Sequence, residues 1–191
     1  MTRTAHPRIL PAIVERWSPR SFDGQPMPQA DLEVILEAAG LAPSAYNVQP
    51  WRFLYAHRDT PDFARFLSAL VEFNQSWAKE ASVLLYVLSA ETSGSENKPN
   101  HSHSFDAGAA WAMLALQAHD MGYITHGMSG VDFAKAAEVL KVPEGYRIEA
   151  AIALGRQAPI ERLPEPLRER EVISGRKPVS EIAFAGDLPA G

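Results

Sequence analysis

Apolar positions along this chain follow a helical period in some stretches and a strand-like run in others. Leu32, Ile35, Leu36 and Ala39 form one helical stripe, with Asp31 placed to cap it and Gly40 and Pro43 to end it. Residues 9–15 predict a short helix that Pro19 stops. Phe63, Phe66, Leu67 and Leu70 make a second stripe. Phe133, Ala136, Ala137 and Leu140 make a third, opened by Asp132. Residues 51–57 are apolar and aromatic and predict a strand. Residues 83–88 are a continuous β-favouring run expected at the centre of a sheet, and residues 123–128 and 147–154 predict two more strands.

The segment 104–121 is different. Between Asp106 and Asp120 it has no charged residue, and only Gln117 and His119 are clearly polar. A helix apolar nearly all round must be buried on nearly all sides. It is either a central core helix or one with a face against a second subunit. Residues 91–103 are a polar loop, expected to cover a pocket. The tail from Arg156 onward combines prolines with little periodicity and predicts an arm lying across the domain or a partner. Helices and strands are mixed rather than strictly alternating, which gives an α+β class. The 191 residues predict one domain over 1–191, with a core at about 10–155 and an arm at about 156–191.

Composition narrows the partners. The chain is 46% hydrophobic and 21% charged, and its net charge of -5 gives no electrostatic reason to expect nucleic acid. Its longest apolar-rich run, 81–90, is half the roughly 20 residues that span a bilayer, and residues 1–7 lack the apolar core of a signal peptide. There is no cysteine, which excludes disulfides, thiolate nucleophiles and Cys-ligated metals. The expectation is a cytoplasmic protein with no membrane or nucleic-acid partner.

Several groupings could carry chemistry. Arg16 and Arg20 flank Ser18 in a proline-stiffened segment. Two guanidiniums and a hydroxyl can surround a phosphate, or they can form a solvated basic turn. In the junction Pro43-Ser44-Ala45-Tyr46-Asn47-Val48-Gln49-Pro50-Trp51, Ser44 and Asn47 could bond the edge of a planar ring or only make the turn. Arg176 and Lys177, beside Pro178, are either a second clamp or solvated cations. Gly127 and Gly130 could bring backbone N–H groups close to a ligand. No G-x-G-x-x-G dinucleotide fingerprint and no G-x-S-x-G elbow occurs. His101, His103 and Asp106 are too few and too loosely placed for a zinc site.

In order and spacing these segments resemble the nitroreductase family of FMN-dependent oxidoreductases. Arg16-Trp17-Ser18-Pro19-Arg20 resembles its amino-terminal R-x-S-x-R/K segment, and residues 43–51 its P-S-x-x-N-x-Q-P-W segment. Phe73-Asn74 followed by Ala81-Ser82, the turn 122–131, Glu144-Gly145-Tyr146 with the strand after it, and Arg176-Lys177-Pro178 match further regions. The resemblance implies a mixed, mostly antiparallel sheet flanked by helices, in a homodimer with FMN at the subunit interface. Arg16, Ser18, Arg20 and Arg176, with Lys177 as helper, would hold the phosphate and ribityl chain. Asn74 would reach the ring edge, the backbone at Ser129 and Gly130 would face the redox edge, and Pro43, Ser44 and Asn47 would come from the other subunit.

Three positions depart from the family pattern. Trp77 replaces a lysine of some members, Ser129 an acidic residue, and Ser174 a second tail cation. The implied reaction is ping-pong transfer from NADH or NADPH to a small-molecule acceptor such as a nitroaromatic or a quinone. Other chemistry on the same scaffold stays open, whether reductive dehalogenation, flavin fragmentation or dehydrogenation, and so does non-catalytic flavin binding.

Overall fold

The centre of the molecule is β2 (Val83–Ala90), whose residues 83–88 are at most 2% exposed. It pairs on one side with β1 (Trp51–His57) and on the other with β6 (Tyr146–Gly155), and β6 pairs in turn with β5 (Ile124–Met128). All three pairings are antiparallel, so the four-stranded sheet is antiparallel throughout. The computed structural model describes residues 3–93 and 98–189. Two short strands, β3 (Thr92–Ser93) and β4 (Lys98–Pro99), pair within the expected loop. Positions 94–97 of that loop, and residues 1 and 2 of the amino terminus, lie outside the described residues.

Strand periodicity explains how one apolar run serves two cores. Leu84, Tyr86 and Leu88 face a layer made by α3 (Pro61–Ser68), α4 (Glu72–Ala78) and α6 (Phe133–Val139), where Phe66, Trp77 and Ala136 pack. Val83, Leu85 and Val87 face α2 (Gln29–Gly40) and α5 (His103–Asp120), where Ile35 and Leu114 are completely buried. Each such aliphatic side chain contributes about 1.5–3 kcal/mol by leaving water. In the first layer the Tyr86 hydroxyl donates to the Phe66 carbonyl at 2.9 Å, and burial raises its pKa.

Asp132 caps α6 as expected, its carboxylate accepting from the Lys135 N–H. Asp31 does not cap α2. Pro28 holds the cap position, and the Asp31 carboxylate instead accepts from the Tyr123 hydroxyl, pinning α2 beside β5. The chain opens with α1 (Pro11–Glu15), and α7 (Glu165–Arg168) lies in the tail. The apolar helix α5 buries only one face within the chain. Ala107, Ala110, Leu114 and Ala118 are covered, whereas Phe105 is 83% and Met113 41% exposed. A central core helix is thereby excluded for the single chain.

Candidate functional site

Three guanidiniums gather at one large cavity. Arg16 follows α1, Arg176 sits in the carboxy-terminal tail, and Arg3 comes from the amino terminus. With Ser18 and Lys177 they line a space of about 1060 Å³. Among the described residues no Asp or Glu lines it. Burial lowers the Arg16 pKa from its ordinary value, and the charges of Arg3 and Arg176 lower it further. Arg3 is lowered in the same way, by burial and then by Arg176. Like charges held together without an acid form a site that attracts an anion.

The tail and the amino terminus make this arrangement together. Arg3 Nη1 donates to the carbonyls of Val14 and Arg16, and its Nε donates to the Ser174 carbonyl at 3.1 Å. Its Nη2 is buried without a hydrogen-bond partner among the described residues. Arg176 bonds Ser174 Oγ at 3.1 Å and the Gly175 carbonyl at 2.8 Å. Ser174 therefore replaces a cation in sequence but orients two in space. Arg16 Nη1 donates to the Trp17 carbonyl at 3.0 Å and reaches Ser18 Oγ at 3.5 Å.

The rest of the wall is apolar. Trp111, Ala112, Ala115 and Leu116 of α5 face Gly127 of β5. A Cβ at Gly127 would stand 3.1 Å from the Trp111 ring, so the small residue lets indole and strand backbone meet. Asn74, on α4, donates its amide Nδ2 to the Gly130 carbonyl at 3.0 Å. That contact joins Asn74 to the Ser129–Gly130 turn, with Ser129 exposed and Gly130 half-buried.

Arg20 does not share the guanidinium cavity. Its side chain meets Glu171 at 3.8 Å, lies over Trp77, and lines a separate pocket of about 250 Å³. Trp77 is buried against Phe22 and His126 rather than standing at an open edge. His126 was not singled out as a site residue from the sequence. Its Nδ1 lies 3.0 Å from the Pro19 carbonyl, which ties β5 to the Arg16–Arg20 segment. Burial pushes its pKa down to about 4; the Pro19 carbonyl opposes this and the Arg20 charge adds to it.

Pro43, Ser44 and Asn47 also lie outside the guanidinium cavity. Their loop is strained. Tyr46, Asn47 and Gln49 have φ of 50°, 55° and 51°, a region that costs L-residues about 1–2 kcal/mol each. Ser44 Oγ accepts from the Gln49 N–H at 3.0 Å, and the buried Asp106 carboxylate accepts from the Ala45 N–H at 3.2 Å. Tyr46 projects fully into solvent. Backbone strain maintained in this way marks functional loops more often than incidental ones.

The description of the Nitroreductase family matches residues 13–72 and 55–156. The chain belongs to the nitroreductase family. A crystal structure of an oxidoreductase containing FMN is 48% identical and superposes with a TM-score of 0.95, covering 99% of this chain and 97% of that one. A Desulfovibrio desulfuricans protein crystallised in complex with FMN is 27% identical, with a TM-score of 0.75, over 97% of this chain and 100% of its own. Among curated relatives, the NADH dehydrogenase of Thermus thermophilus is 31% identical, covering 80% of this chain and 90% of that protein. Within the described residues of this family member, no helix is long and apolar enough to cross a membrane.

Proposed function

We propose that this nitroreductase is an FMN-dependent oxidoreductase that takes electrons from NADH or NADPH and passes them, in ping-pong fashion, to nitroaromatics, quinones or similar small acceptors. The observation that carries the reading is the set of Arg3, Arg16 and Arg176, with no carboxylate lining the cavity among the described residues, beside an apolar wall. The donor chemistry fits a phosphate, and the buried Nη2 of Arg3, which has no partner among the described residues, is a donor free to meet an acceptor. Trp111, Ala115 and Gly127 offer the surface that a flat, largely apolar ring system needs. Family membership and FMN in two structural relatives support the same cofactor.

On this reading Arg16, Ser18, Arg176, Lys177 and Arg3 hold the phosphate end. Arg20, held by Glu171 and lying over Trp77, stands outside this set. Asn74 fixes the Ser129–Gly130 turn, whose backbone would face the ring. Bound FMN would supply the hydride-accepting and hydride-donating ring, and the chain's own work is binding, orientation and exclusion of water. The exposed face of α5, with Phe105 and Met113, and the exposed Val179, Ile182 and Phe184 of the tail favour a homodimer. In it, Pro43, Ser44 and Asn47 of one subunit would complete the site of the other.

The test is spectroscopic. The protein should take up FMN and its colour should bleach anaerobically on addition of NADH or NADPH, then return with a quinone. A colourless protein that takes up no FMN would sink the reading.

A further inference from the structure

Strand β6 outruns its neighbour. The last β5 partner is Ala151, so Glu149 stands on a free edge. Its carboxylate is nonetheless well supplied with donors. Ser89 Oγ lies 2.5 Å and Ser104 Oγ 2.7 Å from Oε1, and Arg147 Nε is 3.5 Å from Oε2. Ser89 is completely buried on β2, and its Oγ is also 2.7 Å from Nδ1 of His103, the first residue of α5, closer to that nitrogen than Ser104 Oγ at 3.3 Å or Glu149 Oε1 at 3.5 Å. With the proton on Nδ1, the imidazole donates to Ser89 and Ser89 donates to Glu149. This is a directed path from a side chain at the helix start to a carboxylate.

The far end of that path opens on a cavity. Glu149 and Ser104 line a space of about 200 Å³ together with Gly108, Trp111 and Gly127. Trp111 and Gly127 also wall the larger guanidinium cavity. Among the described residues, Glu149 is the only carboxylate lining either space. A mostly buried carboxylate costs several kcal/mol unless it is paired and bonded. A pin between α5 and the sheet could be made by apolar contacts alone.

We propose that Glu149 is the proton donor in acceptor reduction, recharged from His103 through Ser89. This rests on the function proposed above. A quinone that receives two electrons and one proton as hydride equivalents from NAD(P)H needs one more proton to become a hydroquinone. The Glu149 O–H bond breaks as the hydroquinone O–H bond forms. The Ser89 proton then passes to Glu149 as the Nδ1 proton of a His103 imidazolium passes to Ser89, and the neutral imidazole left behind takes a proton back from hydronium. Arg147 stabilises the carboxylate left after donation.

The experiment compares Glu149→Gln with the parent holoenzyme on two acceptors, benzoquinone and ferricyanide, of which only the first takes up a proton. The ratio of benzoquinone to ferricyanide turnover should fall by about 10²-fold, the low end of general acid catalysis. Ser89→Ala should lower the same ratio, and imidazole buffer should restore it. In the protein without cofactor, the 15N NMR spectrum of His103 should show a proton on Nδ1 held by Ser89. An unchanged ratio in both variants, or a His103 with no proton on Nδ1, overturns the relay alone. A parent protein that binds no FMN, or that neither nicotinamide reduces, overturns the reading of the site and the relay with it.

Discussion

Asn74 and Gly130 are fitted to each other. The Asn74 Nδ2 donates to the Gly130 carbonyl at 3.0 Å, and a Cβ on Gly130 would stand 2.5 Å from that nitrogen. The Val71 N–H donates to the same carbonyl at 3.1 Å. The demand at Gly130 is steric, because its φ is not among the positive ones. Gly130→Ala should therefore destabilise the fold by about 1–3 kcal/mol through overpacking, read by urea denaturation. A variant as stable as the parent would show that the turn moves aside freely.

The guanidinium set predicts a graded response to truncation. Arg16→Ala and Arg3→Ala should each weaken FMN by about 1.5–3 kcal/mol, the range for a charge-assisted hydrogen bond. Arg20→Ala should weaken it less, since Arg20 meets Glu171 and Trp77. Fluorescence titration of the flavin orders the three variants. Equal losses at Arg20 and Arg16 would contradict the separation of the two pockets.

His126 makes stability depend on pH with a definite sign. Its pKa falls from 6.5 to about 4 on folding, so below pH 6.5 the unfolded chain binds the extra proton first. The contribution is fully present above pH 6.5 and is lost as pH falls toward 4, up to about 3 kcal/mol. Denaturation midpoints of the parent should drop between pH 7 and pH 4 by more than those of His126→Gln. Parallel curves for the two proteins would remove this account.

Asp106 holds the strained junction from below. Its carboxylate accepts from the Ala45 N–H at 3.2 Å and from Ser102 Oγ at 2.9 Å. Asp106→Ala strands both donors and should cost about 1–3 kcal/mol, whereas Asp106→Asn keeps an acceptor and should cost less. Hydrogen exchange at residues 44–49 should quicken in the first variant. Exchange that stays slow there would mean the loop keeps its shape without the anchor.

The sequence was most legible where cause is local. Strand 51–57 ends where its apolar and aromatic run ends, and Asp132 caps the helix it precedes. Of the residues that the family resemblance sets around a phosphate, Arg16, Ser18, Arg176 and Lys177 line one cavity, whereas Arg20 turns to Glu171. Arg3 was missed because its meaning depends on Ser174, 171 positions away. His126 was missed as a site residue for a similar reason. It sits in a strand among small residues, and only the fold brings Pro19 and Trp77 against its ring. Asp31 has the look of a cap because capping is a local rule, but the hydroxyl of Tyr123, just before β5, claims it instead.

The crowding of Arg3, Arg16 and Arg176 ties occupancy of the cavity to survival of the folded chain. The repulsion among these cations weighs on the native state alone, since unfolding disperses them. A ligand held at one hundred times its dissociation constant adds about 2.7 kcal/mol of protection, and an anion in this place also removes the repulsion. With FMN as that anion, as proposed above, a cell short of flavin would lose this protein to proteolysis sooner than a flavin-replete one, so its steady-state abundance would follow vitamin supply.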